Sequence, residues 1–466
     1  MRKSMIRRFT VGAILVPASL AGAAERPVTD DHRWNHVLDN NDNFSPDDRF
    51  LVFDTRPAGD AIAASSMIGK VELATGKITP LYEPAGPGRF GPGVGAATFA
   101  HQRDEVLFIH GPFRPTGAEN QYALFRRIGV MAAGDGSGKI RFADARNTRP
   151  PFTVGALRGG THRHELSGDG QWIGFTYNDA VVRAYGLKTG RDLDLRTIGV
   201  TQLEHRVDVP RSEQFPDHGE GFSVLVVTVS AEPAPGSDEI SRAADDSWVG
   251  RDGYVRPDGR RQRARAFIGT TRDRAGHKLD ELFVVDIPPD ITRPGPAGPL
   301  EGTEQTLPMP PAGTVQRRLT DSSGRKFPGC AGIVRCAHDG QSIAFRMHDD
   351  AGQWQMFLAS PDGGPIRQAT AIEGGVDTGA RWHPSGHAIA CVAGTRIIAT
   401  VVKPGALFGR CYTLSDRGPA PFGLVWSHDG KTIAYNRTVE TDGQLVTQIF
   451  VIDYPDADGD GIPDGS

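Results

Sequence analysis

The clearest pattern of apolar and polar positions in the chain is a pair of short apolar runs on either side of a tight polar turn, as in WSHDGKTIAY from Trp426 to Tyr435. Apolar runs flanking Asp-Gly are the shortest sequence that encodes a β-hairpin. Five more copies share this form: FSPDDRFLVF from Phe44, FAHQRDEVLFI from Phe99, LSGDGQWIGF from Leu166, CAHDGQSIAF from Cys336 and WHPSGHAIAC from Trp382. A seventh, degenerate position falls at Phe222 to Ser230, where the apolar run lacks the turn residues. Their starts lie 55, 67, 56, 114, 46 and 44 residues apart, so one interval is swollen. Repetition along nearly the whole chain predicts one closed all-β array, a β-propeller of seven blades, or of six if the degenerate run only extends its neighbour.

In such a blade the Asp-Gly turn joins the first and second strands and emerges on one face, here called the turn face. Second-to-third and blade-to-blade loops emerge on the other. Third strands are predicted at Met67 to Leu73, Val181 to Leu187, Glu281 to Ile287, Trp354 to Ala359 and Gln448 to Asp453, and outer strands at Val315 to Thr320 and Pro365 to Thr370. The swollen interval is read as an insertion, residues 231–264, between the first two strands of the fourth blade. Ser237-Asp238 would cap a short helix there, running to about Ser247.

Composition agrees with many short strands joined by turns: 58 Gly, 34 Pro and 38% hydrophobic residues in 466. The first two dozen residues differ. Arg2, Lys3, Arg7 and Arg8 precede an apolar run from Phe9 to Leu20 and then Ala21-Gly22-Ala23, the form of a cleavable export signal over residues 1–23. That run is shorter than the roughly 20 residues of a membrane-spanning helix, and no later segment of the sequence is a candidate. The expected mature protein is exported, periplasmic or extracellular. Its organisation is expected to be a lead-in over 24–43, the propeller over 44–454 and an acidic tail over 455–466.

Cleavage after residue 23 takes away four basic and no acidic residues, moving the formal net charge from -4 to -8. An acidic surface disfavours nucleic acid and anionic membrane as partners. In an oxidising compartment Cys330, Cys336, Cys391 and Cys411 allow three pairings, or remain buried thiols.

The W/F-S-P-D-G turn, the following IAF-like strand and the RQAT or RRLT outer strand resemble the TolB-type β-propeller repeat. FIHGP at Phe108, LRGGTHRHELSGDG at Leu157, FTYND at Phe175, PGSDEI at Pro235, WVG at Trp248 and VQRRLT at Val315 resemble, more specifically, the YidR-like bacterial family of unknown function. The resemblance implies a TolB-like propeller fold and no established activity. Unlike TolB, only about 20 residues separate the export signal from Phe44, too few for a separate N-terminal α/β domain.

The densest chemistry is GGTHRHELS, Gly159 to Ser167. In an extended strand His162 and His164 point the same way. On an inner strand that direction is the axial channel, where two imidazoles would bind a divalent transition metal or act as acid and base. Arg158 would pair with a carboxylate or sulfate. His110, in FIHGP, and Tyr177-Asn178-Asp179 would join them at the mouth as a polar-ligand pocket. Asp238, Glu239, Arg242, Asp245 and Trp248 are candidates for a lid over it. His338, His383 and His428 lie in the turn motif and are set aside as far from that mouth. No Gly-x-Ser-x-Gly elbow, phosphate loop or HExxH motif occurs.

The C-terminal DADGDGIPDGS resembles the DxDxDGxxD calcium loop of thrombospondin type 3 repeats and dockerins. Asp456, Asp458, Asp460 and Asp464 with the Ile462 carbonyl would offer the oxygen ligands that calcium takes. Three functions follow. The first is a binding propeller that holds a small polar ligand or an envelope protein at its axial mouth. The second is a metal-assisted lyase or hydrolase acting on acidic oligosaccharides, with His110, His162 and His164 on the metal and Arg158 on a uronate carboxylate. The third is a structural module of an envelope assembly.

Overall fold

The structure, a computed structural model, describes residues 18–19, 25–39, 42–57, 61–86 and 88–464. Most of the expected export signal lies outside these residues. Seven blade sheets, antiparallel from the inner strand outward except where Ala18–Ser19 adds parallel to Cys411–Thr413 at the edge of the sixth, together form a seven-bladed β-propeller. The inner strands of the second to seventh blades are Val94–Phe99, Gly159–Leu166, Arg242–Trp248, Cys330–Cys336, Arg381–Trp382 and Phe422–Trp426. In the first blade Phe44 bridges Leu51, ahead of strands Phe50–Asp54, Ile68–Glu72 and Ile78–Tyr82.

The Ser-x-Asp-Gly signature recurs because its side chains close the turn. In the third blade the Ser167 hydroxyl donates to Asp169 (2.5 Å) and accepts from the Trp172 N–H, while Asp169 accepts from the Gln171 N–H. Ser427 and Asp429 repeat the arrangement in the seventh blade, and Ser45 and Asp47 in the first. Gly170 and Gly430, with φ of +67° and +76°, take the left-handed position that the turn requires.

Ring closure uses both ends of the described chain. Glu25–Pro27 pairs antiparallel with Gln444–Asp453 as the outer strand of the last blade. The buried Asn436 amide accepts from the Leu38 N–H and donates to the His36 carbonyl, 2.7 Å each. The lead-in is therefore part of the last sheet. Apolar side chains from adjacent blades interleave, as where Trp172 and Val224 of the third meet Phe267 and Val285 of the fourth.

Three expectations fail locally. The run at Phe222 belongs to His218–Leu225, the outer strand of the third blade. The fourth copy instead begins at Trp248, whose indole donates to the Glu165 carbonyl of the preceding inner strand (2.9 Å). Trp382 and Trp426 do the same to Arg335 and Arg381. This copy escapes a motif search because Val249 stands where the other copies have Ser, Ala or His, its Asp252-Gly253 is shifted one place along, and a small hairpin, Tyr254–Val255 with Arg261–Gln262, extends its turn.

The helix expected from Ser237 to Ser247 is absent: Arg242–Trp248 is the inner strand, and pairing with Ala264–Arg272 overrides helical propensity. Conversely Val181 to Leu187 lies in a helix, Ala180–Thr189, because Asp179 caps it by accepting from the Val181 and Val182 N–H groups. The third strand there is Arg196–Asp208.

Candidate functional site: the axial funnel

Five inner strands share one irregularity. Their pairing slips between Gly95 and Thr98, His162 and Glu165, Ala244 and Ser247, Ala331 and Arg335, and Phe422 and Val425. Each slip contains a residue of positive φ: Ala96 (+54°), Arg163 (+49°), Asp245 (+57°), Gly332 (+79°) and Gly423 (+64°). Such β-bulges re-aim the side chains beside them. Glycine takes this conformation without cost. Arginine and aspartate are strained in it, and strain of this kind concentrates at functional sites.

Arg163, Asp245, Gly332 and Gly423 all line a cavity of about 560 Å³ on the axis, open away from the turn face. Arg56, Arg346, Arg381 and Asp39 complete its polar wall, and Leu38, Ile333, Phe422 and Leu424 give it an apolar side. Arg56 pairs with Asp54 (2.5 Å) and Asp39 (3.1 Å), and Arg163 lies 3.6 Å from Asp39. Burial opposes ionisation of Asp39, but Arg56 and Arg163 overcome it and hold the carboxyl below its usual range.

Arg346 and Arg381 differ from these two. Arg346 donates to the Asp377 carbonyl (2.8 Å) and lies over the Trp354 ring, and Arg381 donates to the Leu424 carbonyl (2.6 Å). Among the described residues neither has a carboxylate within ion-pair distance. Burial, then the charges of Arg335 and Arg163, push Arg381 well below the usual guanidinium value.

The side chains singled out in the sequence lie elsewhere. Alternation would have sent His162 and His164 into the channel, but the bulge puts Arg163 there. His162 contacts Asn178 and Arg127 at 3.1 Å each, and His164 packs against Gly129 of the second blade. His110 is buried between the Tyr82 hydroxyl (3.1 Å) and the Gly111 carbonyl (2.5 Å), and burial lowers its pKa to about 4.

Arg158, Tyr177 and Asp179 do meet, as a buried network. The guanidinium pairs with Asp179 (2.9 Å) and donates to the Thr303 and Thr306 carbonyls, and the Tyr177 hydroxyl donates to Asp179. Asn178 binds His162 and Asp194. Glu239 and Arg242 are exposed, Glu239 accepting from the Ala234 N–H. Trp248 is core rather than lid.

The funnel residues have a signal in the sequence once the seven copies are aligned on their first aromatic or apolar residue. Three positions before it stand Gly379 and Gly423 in the sixth and seventh copies, and Ala96, Arg163 and Asp245 in the second to fourth.

At the other end of the axis His338 and His428, set aside from sequence, gather with His101 and Asp42. The His101 and His428 rings are 6.0 Å apart, and His101 lies 3.6 Å from Asp42. Burial, then Arg251, lowers His338 to about 4. The spaces there are small, about 70 and 60 Å³. His383 instead packs on Trp426 and Tyr454 beneath the C-terminal loop.

In that loop Asp456, Asp458 and Asp460 bring carboxylate oxygens within 4.8 Å of one another. The Asp456 side chain is 5% exposed; its Oδ2 accepts from the Gly461 N–H, while its buried Oδ1 has no hydrogen-bond donor. The donor set and that orphaned oxygen fit a hard cation. Asp464 turns away to accept from the Ala457 N–H. All four cysteines are free thiols, and burial raises that of Cys336 to about 12.

Fold and cavity together define a seven-bladed propeller with a charged funnel on its axis. A family of proteins of unknown function, DUF3748, matches residues 93–216. The uncharacterized protein YidR of Escherichia coli (strain K12) is 37% identical over 409 residues, 86% of this chain and 92% of that one, so the chain belongs to the YidR family. Among solved structures, an oligogalacturonate lyase in complex with manganese aligns over 95% of this chain and 96% of its own, at a TM-score of 0.54 and 12% identity. TolB from Acinetobacter baumannii aligns over 87% and 80%, at a TM-score of 0.37 and 12% identity. The lyase likeness is one of fold.

Proposed function

We propose that this chain is an exported propeller, periplasmic or extracellular, that binds a small polar ligand in its axial funnel. The observation that carries the reading is the funnel itself: a cavity of ligand size whose wall keeps Arg346 and Arg381 without carboxylate partners among the described residues. The basic and apolar N-terminal segment supports export. No helix among the described residues is long and apolar enough to cross a membrane. An envelope protein inserting a side chain at the same mouth is the variant of this reading for a macromolecular partner.

The lyase reading loses its support, since it needs His110, His162 and His164 to converge on the channel, and each is packed in a blade contact. A divalent cation of calcium type on Asp456, Asp458 and Asp460 is a separate, structural proposal. It would satisfy Asp456 Oδ1 and pin the tail against the sixth blade, where His387 already contacts the Asp460 carbonyl at 2.6 Å.

The test of the binding reading is a thermal-stability screen of the full chain against small polar compounds, run in parallel on Ile333→Trp, whose indole would fill the funnel. Compounds should stabilise the parent and not the variant. Stabilisation that persists in Ile333→Trp would contradict it.

A further inference from the structure

The funnel wall is electrically unbalanced. Arg56, Arg163, Arg346 and Arg381 face Asp39 and Asp245, and both carboxylate contacts of Asp39 are with Arg56 and Arg163. That leaves two guanidiniums and one carboxylate, Asp245, outside any ion pair among the described residues. Withdrawing a cation even partly from water without a paired carboxylate is costly, and perturbed charged groups of this kind cluster where ligands bind. The two arginines are also held in place. Arg346 is fixed by the Asp377 carbonyl and the Trp354 ring, and Arg381 by the Leu424 carbonyl. A fixed guanidinium fork is pre-organised for a planar carboxylate.

Resting on the binding reading above, we infer that the funnel's ligand is a small organic carboxylate, its anionic group taken by Arg346 and Arg381. The remaining wall describes the rest of that molecule. Asp245, held at a strained backbone position, accepts from hydroxyl or amino donors, and Phe422, Leu424 and Ile333 offer an apolar side for its carbon skeleton. A bare inorganic anion would leave both of these features unused. A long polymer would have to thread past Arg381, because the next spaces along the axis measure only about 70 and 60 Å³.

The experiment is calorimetric titration of the full chain with shape-matched pairs that differ in charge, at millimolar concentration: glucuronate against glucose, glutarate against glutaramide, and succinate against succinamide. The carboxylate member of at least one pair should bind, with its affinity reduced about tenfold or more in Arg346→Met and in Arg381→Met, and less in Arg346→Lys. Raised salt should weaken it as well. If a neutral member binds as tightly as its acid and Ile333→Trp abolishes both, the anion inference fails while the funnel reading stands. Carboxylate binding that survives Ile333→Trp and both Arg→Met variants would be adventitious and would overturn the inference. Binding by none of the six would overturn it too.

Discussion

Two sets of inward-facing arginines in this molecule, one buried and one half-buried, look alike in composition and differ in what surrounds them. Arg265, between the third and fourth blades, is enclosed by Asp246 and Glu165 (2.6 Å to Glu165), and Arg158 by Asp179 and two loop carbonyls. Burial opposes the charge of Arg265, but Asp246 and then Glu165 prevail and raise its pKa. Around Arg381 the balance runs the other way, since burial is reinforced by Arg335 and Arg163. The first set ties blades together. The second has no carboxylate within ion-pair distance among the described residues, and on the function proposed above that contrast is what singles out the funnel as the binding site.

The largest effect should come from breaking the paired set. Arg265→Met leaves Asp246 and Glu165 buried without their cation, and removing one partner of a buried pair costs about 3–5 kcal/mol. Denaturant titration measures this directly, and a loss under about 1 kcal/mol would erase the distinction between the two sets.

A smaller effect separates scaffold histidines from the funnel. His36, His110 and His338 are held to about 4 by burial, so they are neutral in the folded protein and titrate near 6.5 when unfolded. Between these values the unfolded chain binds more protons. Stability should therefore be full above about pH 6.5 and fall as pH drops toward 4. His110→Gln should shrink that fall by at most about 3 kcal/mol. An unchanged pH profile in the variant would mean that His110 is not held neutral by its blade contact.

The smallest effect is at the tail. Calcium at ten times its dissociation constant should add about 1.4 kcal/mol, lost in Asp456→Asn. Equal stabilisation of parent and variant, followed by thermal melting, would rule out that loop as the site.

How much of this could be read beforehand follows from where local rules hold. The blades were legible because Ser427, Asp429 and Gly430 close their turn with their own atoms, and the same residues recur at Ser167 and Ser45. Trp248 was noticed but read as a lid, since its copy lacks those turn residues and its strand has the look of a helix. The site was misread for one physical reason. Alternation by two assigns His162 and His164 to the channel, and a single bulge at Arg163 reverses the assignment. Bulges are set by pairing with the neighbouring strand, and in the sequence only glycines such as Gly332 and Gly423 ahead of the repeated turn hinted at them.

The most direct test of the central claim is the equilibrium stability of Arg381→Met beside the parent and Arg265→Met. If Arg381 is kept for a ligand, replacing it with an apolar side chain of similar length removes a half-buried charge that no carboxylate pairs, and the variant should be as stable as the parent or up to about 1 kcal/mol more so. A loss of about 3 kcal/mol or more, matching Arg265→Met, would show that Arg381 is one more strut of the ring, and the funnel would lose its claim to be a binding site.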